Sequence, residues 1–205
     1  MLYLSRFVRP SGRTRSLHRY VMAGFPDDLG PDPRKQAGAL FRVDGGSILV
    51  QSVEKPKWPK AYEAQVKLEF RHNLLNVGER YRFRLGLNSV AQSNRDGRCR
   101  RYPVPAVDWL AAREDRLGAT FEVRQVRVQK HHDHVRREHY TRSFPIEVSV
   151  VDGYLTVTHS QRLADAMVNG IGREKAYGCG LLSLLPVAVV TTPEPAPALV
   201  GVAQG

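Results

Sequence analysis

The sequence predicts an α+β protein made of two tandem ferredoxin-like (RRM-like) domains, each with an antiparallel sheet. Its 205 residues, 42% of them hydrophobic, suffice for a core in one domain or in two small ones. The first half reads strand, helix, strand, strand, variable segment, strand, which is the ferredoxin-like order with a reduced second helix. The second half reads helix, strand, strand, helix, strand, so one strand of the same order remains to be found.

In the first half, apolar runs and turn signals indicate the elements. Residues 2–8 read as a strand, and residues 14–24 read as a short helix that ends before Phe-Pro. Two apolar runs, 40–43 and 48–51, flank an Asp-Gly-Gly turn and therefore predict a hairpin. A further strand is expected at 64–70.

In the second half, a hairpin is predicted at Asp152-Gly153, because this pair is typical of two-residue β-turns. The expected elements are a helix at 107–117, a strand at 121–128, a charged excursion at 130–142, hairpin strands at 146–151 and 154–157, a helix at 162–168 and a last strand at 181–189. The predicted units are an N-terminal domain at 1–88, a basic linker at 89–104, a C-terminal domain at 105–190 and a disordered, proline-containing tail at 191–205.

The composition favours a nucleic-acid partner. The net charge is +11 and the pI is about 10.0, and arginine exceeds lysine. Arginine binds phosphate through two hydrogen bonds and stacks on bases, so the excess indicates nucleic acid before membrane. A merely basic protein without such a partner is the alternative.

Several other classes of protein are not indicated. No apolar run approaches the ~20 residues that span a bilayer, and the first residues lack the layout of a signal peptide. Cys99 and Cys179 are too few for a disulfide framework or a four-cysteine zinc site. We therefore expect a cytoplasmic protein with no cofactor and no membrane partner.

Arg80–Leu87 is predicted to be a strand with two different faces. Apolar side chains alternate with Arg80, Arg82 and Arg84, so the apolar side chains face a core and the arginines face outward. The basic face either meets RNA or is simply solvated.

A glycine-rich loop carries the most specific pattern. Gly170, Gly172, Gly178 and Gly180 surround a basic segment that contains Arg173 and Lys175. Glycine permits positive φ and close backbone approach, so we expect exposed N–H groups and an attraction for anions. The dinucleotide and P-loop signatures are both incomplete here. A helix C-cap followed by a tight bend is the alternative.

His18 is the candidate for proton transfer. It lies in the predicted first helix among Arg13, Arg15 and Arg19, which could hold a phosphate within reach of the imidazole. An unperturbed histidine pKa of ~6.5 suits proton transfer near neutrality. RNA supplies its own nucleophile, the 2′-hydroxyl, and its cleavage needs no metal. An ordinary surface histidine is the alternative.

The histidines between residues 131 and 139 could be read as a metal site. His132 and His134 would share one face of a strand. No well-spaced cysteine or carboxylate set completes such a site, so we expect no metal. A basic RNA-contacting hairpin and a solvated charged hairpin both remain open.

Taken together, these segments resemble the CasE-type CRISPR RNA-processing endoribonucleases (type I-E Cascade subunits of the RAMP superfamily). The glycine loop with Lys175 matches the C-terminal signature of that family, and Leu17-His18 stands where the family places its catalytic histidine. Further matches, in order along the chain, are Leu49-Val50-Gln51-Ser52, Arg82-Phe83-Arg84-Leu85 with Asn88, Cys99-Arg100, Pro103 or Pro105, Trp109-Leu110 and Gly178-Cys179-Gly180-Leu181-Leu182-Ser183 with Pro186.

The resemblance implies a metal-independent endoribonuclease that cuts precursor CRISPR RNA within the repeat stem-loop. Its products would carry 2′,3′-cyclic phosphate and 5′-hydroxyl ends. The implied partners are the repeat stem-loop, the mature guide RNA on which the enzyme stays, and other Cascade subunits, among them a backbone subunit. The family also inserts a basic β-hairpin of its second domain into the RNA, for which the excursion at 130–142 could serve.

The resemblance makes His18 the general base or acid. Relatives often carry a tyrosine three residues earlier, where this chain has Arg15. Arg15 shares a helical face with His18 and could bind the charged transition state, but a guanidinium cannot act as a base. A non-catalytic subunit that binds the same hairpin is therefore the alternative. The expected RNA-binding residues are Arg13, Arg19, Arg98, Arg100, Arg101, Lys130, Arg136, Arg137, Arg142, Gly170, Gly172, Arg173, Lys175, Gly178 and Gly180.

Overall fold

A computed structural model of the chain describes residues 2–8, 16–70, 75–95, 98–137 and 140–187. Within these ranges the side chains of residues 66–70, 95, 98, 131–137 and 140–144 are outside the description. The predicted tail at 191–205 and residues 14 and 15 of the predicted helix at 14–24 lie outside the described residues. The helix itself is shorter than predicted, because it begins at Leu17, after Ser16 with φ −45° and ψ 134°, and ends at Met22. In the described part of the chain, no helix is long and apolar enough to cross a membrane.

The first sheet has the ferredoxin-like strand order. Its strand order is β2-β3-β1-β4, and every neighbouring pair is antiparallel. The elements of this half are β1 (Leu2–Val8), α1 (Leu17–Met22), α2 (Pro33–Gln36), β2 (Leu40–Asp44), β3 (Ser47–Ser52), a 3₁₀ turn (Lys60–Tyr62) and β4 (Gln65–Phe70).

The second sheet repeats that order as β10-β5-β9-β8. Its elements are β5 (Arg80–Leu87), α3 (Ala106–Ala111), α4 (Glu114–Leu117), β8 (Ala119–Arg137), β9 (Tyr140–Val157), α5 (Ser160–Asn169) and β10 (Leu182–Pro186). β5 is therefore the missing strand of the second half, and its assignment to the first half is corrected. The predicted α+β fold with two ferredoxin-like units is confirmed.

The segment predicted as a basic linker forms a two-stranded hairpin of β6 (Val90–Arg95) and β7 (Arg98–Pro103). The Trp109 indole N–H donates to the Val90 carbonyl oxygen at 3.1 Å. This bond fastens the hairpin to α3.

The predicted turn at Asp152-Gly153 was wrong. β9 runs without a break through these residues, and it pairs with β8 from Ala119 to Arg137 as one long hairpin. The register shifts between Val123 and Gln125, and a Cβ on Gly153 would collide with the Glu122 carbonyl oxygen. Glycine is required here by the close approach of the bulged strand.

The single helix predicted at 107–117 is divided into α3 and α4. Arg113, between them, leaves helical geometry with φ −131° and ψ 4°. Its guanidinium lies 3.9 Å from the Trp109 ring centroid and donates to the Trp109 carbonyl oxygen at 2.9 Å. The cation–π contact and this hydrogen bond stabilise the break.

Buried polar contacts join the two sheets. Arg42 of β2 donates to the carbonyl oxygens of Arg84 and Leu181 at 3.1 and 3.2 Å. Gln51 of β3 donates to the Met167 carbonyl oxygen at 2.8 Å. These contacts fix β2 against β5 and the residue before β10, and they fix β3 against α5.

Candidate functional site

α1 presents His18 between a buried face and an exposed one. Leu17 and Val21, one turn apart, are buried in the core of the first sheet. His18 is partly buried, with a buried Nδ1 atom, whereas Arg19 is exposed. Tyr20 packs beside Tyr62, with ring centroids 6.0 Å apart. The helix thus holds the His18 imidazole at the boundary of the core.

His18 lines a cleft of about 350 Å³. The rest of the lining consists of Pro31, Asp32, Pro33, Arg34, Lys35 and Ala176. Ala176 belongs to the glycine loop, so the cleft lies where the first helix faces the C-terminal signature. The proximity of His18 to this loop, which the nuclease interpretation requires, is present.

A second cleft of about 500 Å³ adjoins the first and shares Arg34 and Ala176 with it. Its other lining residues are Arg101, Gly172, Arg173, Glu174, Lys175 and Tyr177. We call the two adjoining clefts the basic furrow. The furrow brings His18 of α1, Arg34 of α2, Arg101 of β7 and the glycine loop together.

The four glycines of the loop all take positive φ, between 76° and 92°. A Cβ on Gly170 would come within 2.7 Å of Leu40 Cδ2, and one on Gly178 within 3.3 Å of the Phe41 ring. Between the glycine pairs lies a 3₁₀ turn (Lys175–Tyr177), which packs against α1 and β2. The glycines therefore let the loop lie close on β2 and bring Ala176 opposite His18.

The expectation that this loop exposes its N–H groups was wrong for four of them. The Ile171 N–H donates to the Gly180 carbonyl oxygen at 2.9 Å, and the Gly180 N–H donates to Gly86 at 2.7 Å. The N–H groups of Tyr177 and Cys179 donate to the Glu174 carbonyl oxygen. These amides close the loop, so the attraction for anions falls mainly to side chains.

Lys175 and Arg34 are the partly buried cations of the furrow. Burial lowers the pKa of Lys175 below its usual range, and the charges of Arg34 and Arg116 lower it further. Burial likewise lowers the pKa of Arg34, against a smaller opposing effect of Asp32. Lys175 Nζ donates to the Asn169 carbonyl oxygen at 2.8 Å. Two cations are thus held close enough to repel each other, which favours an anionic occupant.

Arg34 and Lys35 are basic furrow residues that the sequence did not single out. Residues 27–36 read as loop, although Asp32-Pro33 is a helix start signal and two basic residues follow it. In the structure these residues form α2, and the Arg34 guanidinium donates to the Ala39 carbonyl oxygen at 3.1 Å. The helix start signal could have located α2 in the sequence. It could not have shown that Arg34 of this helix faces the glycine loop.

Two further expected RNA-binding arginines line the furrow. Arg173 and Arg101 are both exposed, and the Arg173 guanidinium donates to Gln92 Oε1 at 2.7 Å. This bond ties the glycine loop to the β6–β7 hairpin. Arg100 is also exposed, but it does not line either cleft.

The other expected residues lie elsewhere or outside the description. Arg19 is exposed on α1 without lining the furrow, and Lys130 forms an exposed ion pair with Glu147 at 3.3 Å. Arg13 and Arg15 lie outside the described residues, and the side chains of Arg98, Arg136, Arg137 and Arg142 are outside the description too.

The histidine cluster also lies outside the described side chains. Among the side chains that the structure does describe, no group of three or more His, Cys, Asp or Glu residues could hold a metal ion. The metal interpretation of residues 131–139 therefore stays open.

A model of the family described as CRISPR associated protein matches residues 4–186. The chain belongs to this family. It is 28% identical over 208 residues to the CRISPR system Cascade subunit CasE of Escherichia coli (strain K12), a match that covers 91% of this chain and all of that protein. It is 26% identical to the CRISPR-associated endoribonuclease Cse3 of Thermus thermophilus, over 68% of this chain and 72% of that protein.

Family membership extends to the fold. A solved structure of CRISPR endoribonuclease Cse3 bound to 19 nt RNA superposes with a TM-score of 0.68 at 25% identity. The superposition covers 90% of this chain and 98% of that one. The resemblance to CasE-type members of the family, which the glycine loop and Leu17-His18 indicated, is confirmed.

Proposed function

We propose that this chain is a metal-independent endoribonuclease that cleaves precursor CRISPR RNA within the repeat stem-loop. The observation that carries the proposal is that the cleft lined by His18 shares Arg34 and Ala176 with the cleft lined by the cations of the glycine loop. The relatives support it, since Cse3 is named an endoribonuclease and has been solved with bound RNA.

The reaction needs only groups that RNA and the furrow provide. The ribose 2′-oxygen attacks the adjacent phosphorus, the new P–O2′ bond forms and the P–O5′ bond breaks. The 2′-hydroxyl loses a proton and the departing 5′-oxygen gains one, which leaves 2′,3′-cyclic phosphate and 5′-hydroxyl ends. His18 performs one of these two transfers, as general base or general acid.

The cations of the furrow stabilise the phosphorane. Lys175 and Arg34 are partly buried, so their charges are screened less than those of exposed side chains. Arg15, three residues before His18 in the sequence, is the third cation that we propose for the bound phosphate. Binding an anion between these cations also relieves their mutual repulsion.

The remaining basic residues hold the RNA outside the reacting group. Arg101 and Arg173 contact the strand at the far end of the furrow, and the long β8–β9 hairpin reaches towards the stem. The A-form major groove is deep and narrow, so this hairpin senses shape and phosphates more than base edges. Its proposed contacts are Lys130, Arg136, Arg137 and Arg142.

After cleavage the enzyme stays on the mature guide RNA and becomes a subunit of a Cascade complex. The name of the Escherichia coli relative, a Cascade subunit, supports this part of the proposal. The long basic hairpin and the furrow both contact the stem-loop, and we propose that these contacts persist after the cut. Slow release of the product follows from those retained contacts.

The experiment is a cleavage assay in the presence of EDTA. Its substrate is an end-labelled RNA repeat taken from a CRISPR array that lies next to the gene for this protein. Wild type should cut at one position, and His18→Ala should bind the repeat without cutting it. His159→Asn is the matched control, because His159 is an exposed histidine whose side chain caps α5 and asparagine preserves the cap. This control should cut at the wild-type rate.

Three outcomes would contradict the proposal. Equal cutting by wild type and His18→Ala would remove His18 from the mechanism. Loss of cutting in EDTA would indicate a metal-dependent reaction. Tight binding without cutting by wild type would leave a non-catalytic hairpin-binding subunit, which the replacement of the usual tyrosine by Arg15 makes the competing function.

A further inference from the structure

The outer face of the second sheet carries a basic and aromatic surface that the furrow does not use. The register places Leu185 of β10, Arg82 of β5, Tyr154 of β9 and Glu122 of β8 in one row across all four strands. Arg80 and Arg124 border this row. We call this surface of six residues the open face.

The open face is accessible to a partner. Arg80, Arg82 and Arg124 are exposed, and Leu185 is 61% exposed although it is apolar. The next row along the sheet is different, because Arg42 and Asp44 of the first sheet contact Arg84 there. The open face therefore begins where the contact between the two sheets ends.

Charge on the open face favours an anionic partner. Arg80, Arg82 and Arg124 carry three positive charges against the single negative charge of Glu122, which leaves +2. Glu122 pairs with both Arg80 and Arg124. Arg82 forms no hydrogen bond or ion pair with any side chain that the structure describes, so its guanidinium is available.

Tyr154 adds a stacking group at the centre of these charges. The Arg80 guanidinium lies 4.7 Å and the Arg124 guanidinium 5.9 Å from the Tyr154 ring centroid. Bases stack on aromatic rings and on guanidinium planes, and arginines bind the phosphates between them. Bases inside a duplex are already stacked, so this arrangement suits an unpaired strand.

We propose that the open face binds single-stranded RNA, with phosphates at Arg82 and its neighbours and a base against Tyr154 and Leu185. This site goes beyond the proposed stem-loop cleavage, because none of its residues lines the furrow. An acidic protein segment would use the charges but not the central aromatic ring. The strand bound here would be an unpaired stretch of RNA.

The first test determines where on the protein single-stranded RNA binds. The full-length protein is crosslinked by light to an oligouridine of about ten nucleotides that contains 5-bromouridine, a length within the usual range of single-strand sites. Peptides carrying RNA are then identified by mass spectrometry. We expect a crosslinked peptide that contains Tyr154. Crosslinks confined to peptides of the furrow would overturn the proposal.

Affinity measurements with the same oligouridine test the chemistry. The measurements use a protein that already carries Arg34→Gln and Lys175→Gln, so that RNA binding in the furrow is weakened. In this protein, Tyr154→Ala and Arg82→Gln should each reduce the affinity for oligouridine about tenfold. Tyr154→Phe, which keeps the ring, and Lys55→Gln, which removes an exposed charge elsewhere, should not. Unchanged affinity in Tyr154→Ala and Arg82→Gln, or preference of the face for polyglutamate over oligouridine, would overturn the proposal.

Cleavage of the repeat hairpin separates this proposal from the function proposed above. The substrate is the repeat hairpin alone, with no single-stranded RNA on either side. The Tyr154→Ala and Arg82→Gln variants, each made in the otherwise wild-type protein, should cut this substrate at the wild-type rate. If the wild-type protein does not cut the hairpin, the nuclease proposal fails. The crosslinking and affinity results with oligouridine still decide whether the open face binds single-stranded RNA.

Discussion

At the scale of single residues, the furrow contains two cations whose partial burial disfavours their charged forms. Burial lowers the pKa of Lys175 and of Arg34, and the charge of Arg34 lowers the pKa of Lys175 further. Such an arrangement destabilises the empty protein slightly and favours an anion that fills the space. The pair therefore indicates the part of the furrow that best suits an anion more directly than the exposed arginines do.

Arg34→Gln should lower the rate of repeat cleavage about 100-fold at saturating RNA, because it removes one cation from the developing phosphorane. Arg34→Lys should recover part of the rate, since it restores the charge without the two-pronged guanidinium. Single-turnover cleavage measures both variants. Lys57→Gln, the loss of an exposed cation outside the furrow, is the matched control, and an equal loss in Lys57→Gln would show a general charge effect.

At the scale of elements, Gly153 determines the shape of the long hairpin. Gly153 has an extended backbone, which any residue can adopt, so glycine is not required here for its φ. It is required because the bulge of β8 around Arg124 leaves no room for a Cβ atom. A side chain there would push β8 and β9 apart at the base of the long hairpin that the two strands form.

Gly153→Ala should reduce the free energy of unfolding by about 1–3 kcal/mol, the usual cost of inserting a methyl group where none fits. Gly46→Ala in the β2–β3 turn is the matched control, because a Cβ there meets nothing within 4 Å and the residue has no positive φ. Urea denaturation measures both. Equal stability of the two variants would show that the strands separate without cost.

The local pattern of the sequence was sufficient for most strands and for the order of the elements, except for the last strand of the first half and the first strand of the second half. It failed where one local signal has two structural meanings. Asp152-Gly153 is typical of a turn, but glycine also lets a bulged strand approach closely. Alternation identified β5 yet could not say which sheet it joins, and the helix signal at Asp32-Pro33 could not say that Arg34 faces the glycine loop.

At the scale of the whole molecule, the furrow depends on how the two sheets meet. His18 belongs to the first half and Lys175 to the second, so their distance is set by the junction around Arg42. The Arg42 side chain is only 4% exposed and donates to Asp44, Ser183 and two carbonyl oxygens of the second half.

Arg42→Met should lower the free energy of unfolding by about 3–5 kcal/mol, because removing one partner leaves buried acceptors unpaired. Arg80→Gln removes an arginine from a surface ion pair instead, with Arg80 49% exposed, and should cost less than about 1 kcal/mol. Denaturant titration compares the two. A cost for Arg42→Met as small as that for Arg80→Gln would mean that the hydrogen bonds of Arg42 do not hold the two halves together.

The same junction should make the protein sensitive to acid. Burial raises the pKa of Asp44, but the hydrogen bond from Arg42 and the charges of Arg42, Arg84 and Arg6 outweigh it, so the pKa lies below its usual range. Burial also opposes the lowering at Asp152, where Arg84 and then Arg127 outweigh it. Carboxylates with lowered pKa values stabilise the folded state above the pKa of the unfolded chain, near 3.8.

That stabilisation is lost as the pH falls below about 5 and through the lowered pKa values of the folded state. The free energy of unfolding, measured by denaturant at intervals from neutral pH into this range, should therefore decline steeply in wild type. Asp44→Asn should be less stable at neutral pH and should decline less, because one of the titrating groups is gone. Asp28→Asn, at an exposed aspartate away from the junction, should keep the wild-type slope. A wild-type slope in Asp44→Asn would mean that the charge of Asp44 contributes nothing to holding the two sheets together.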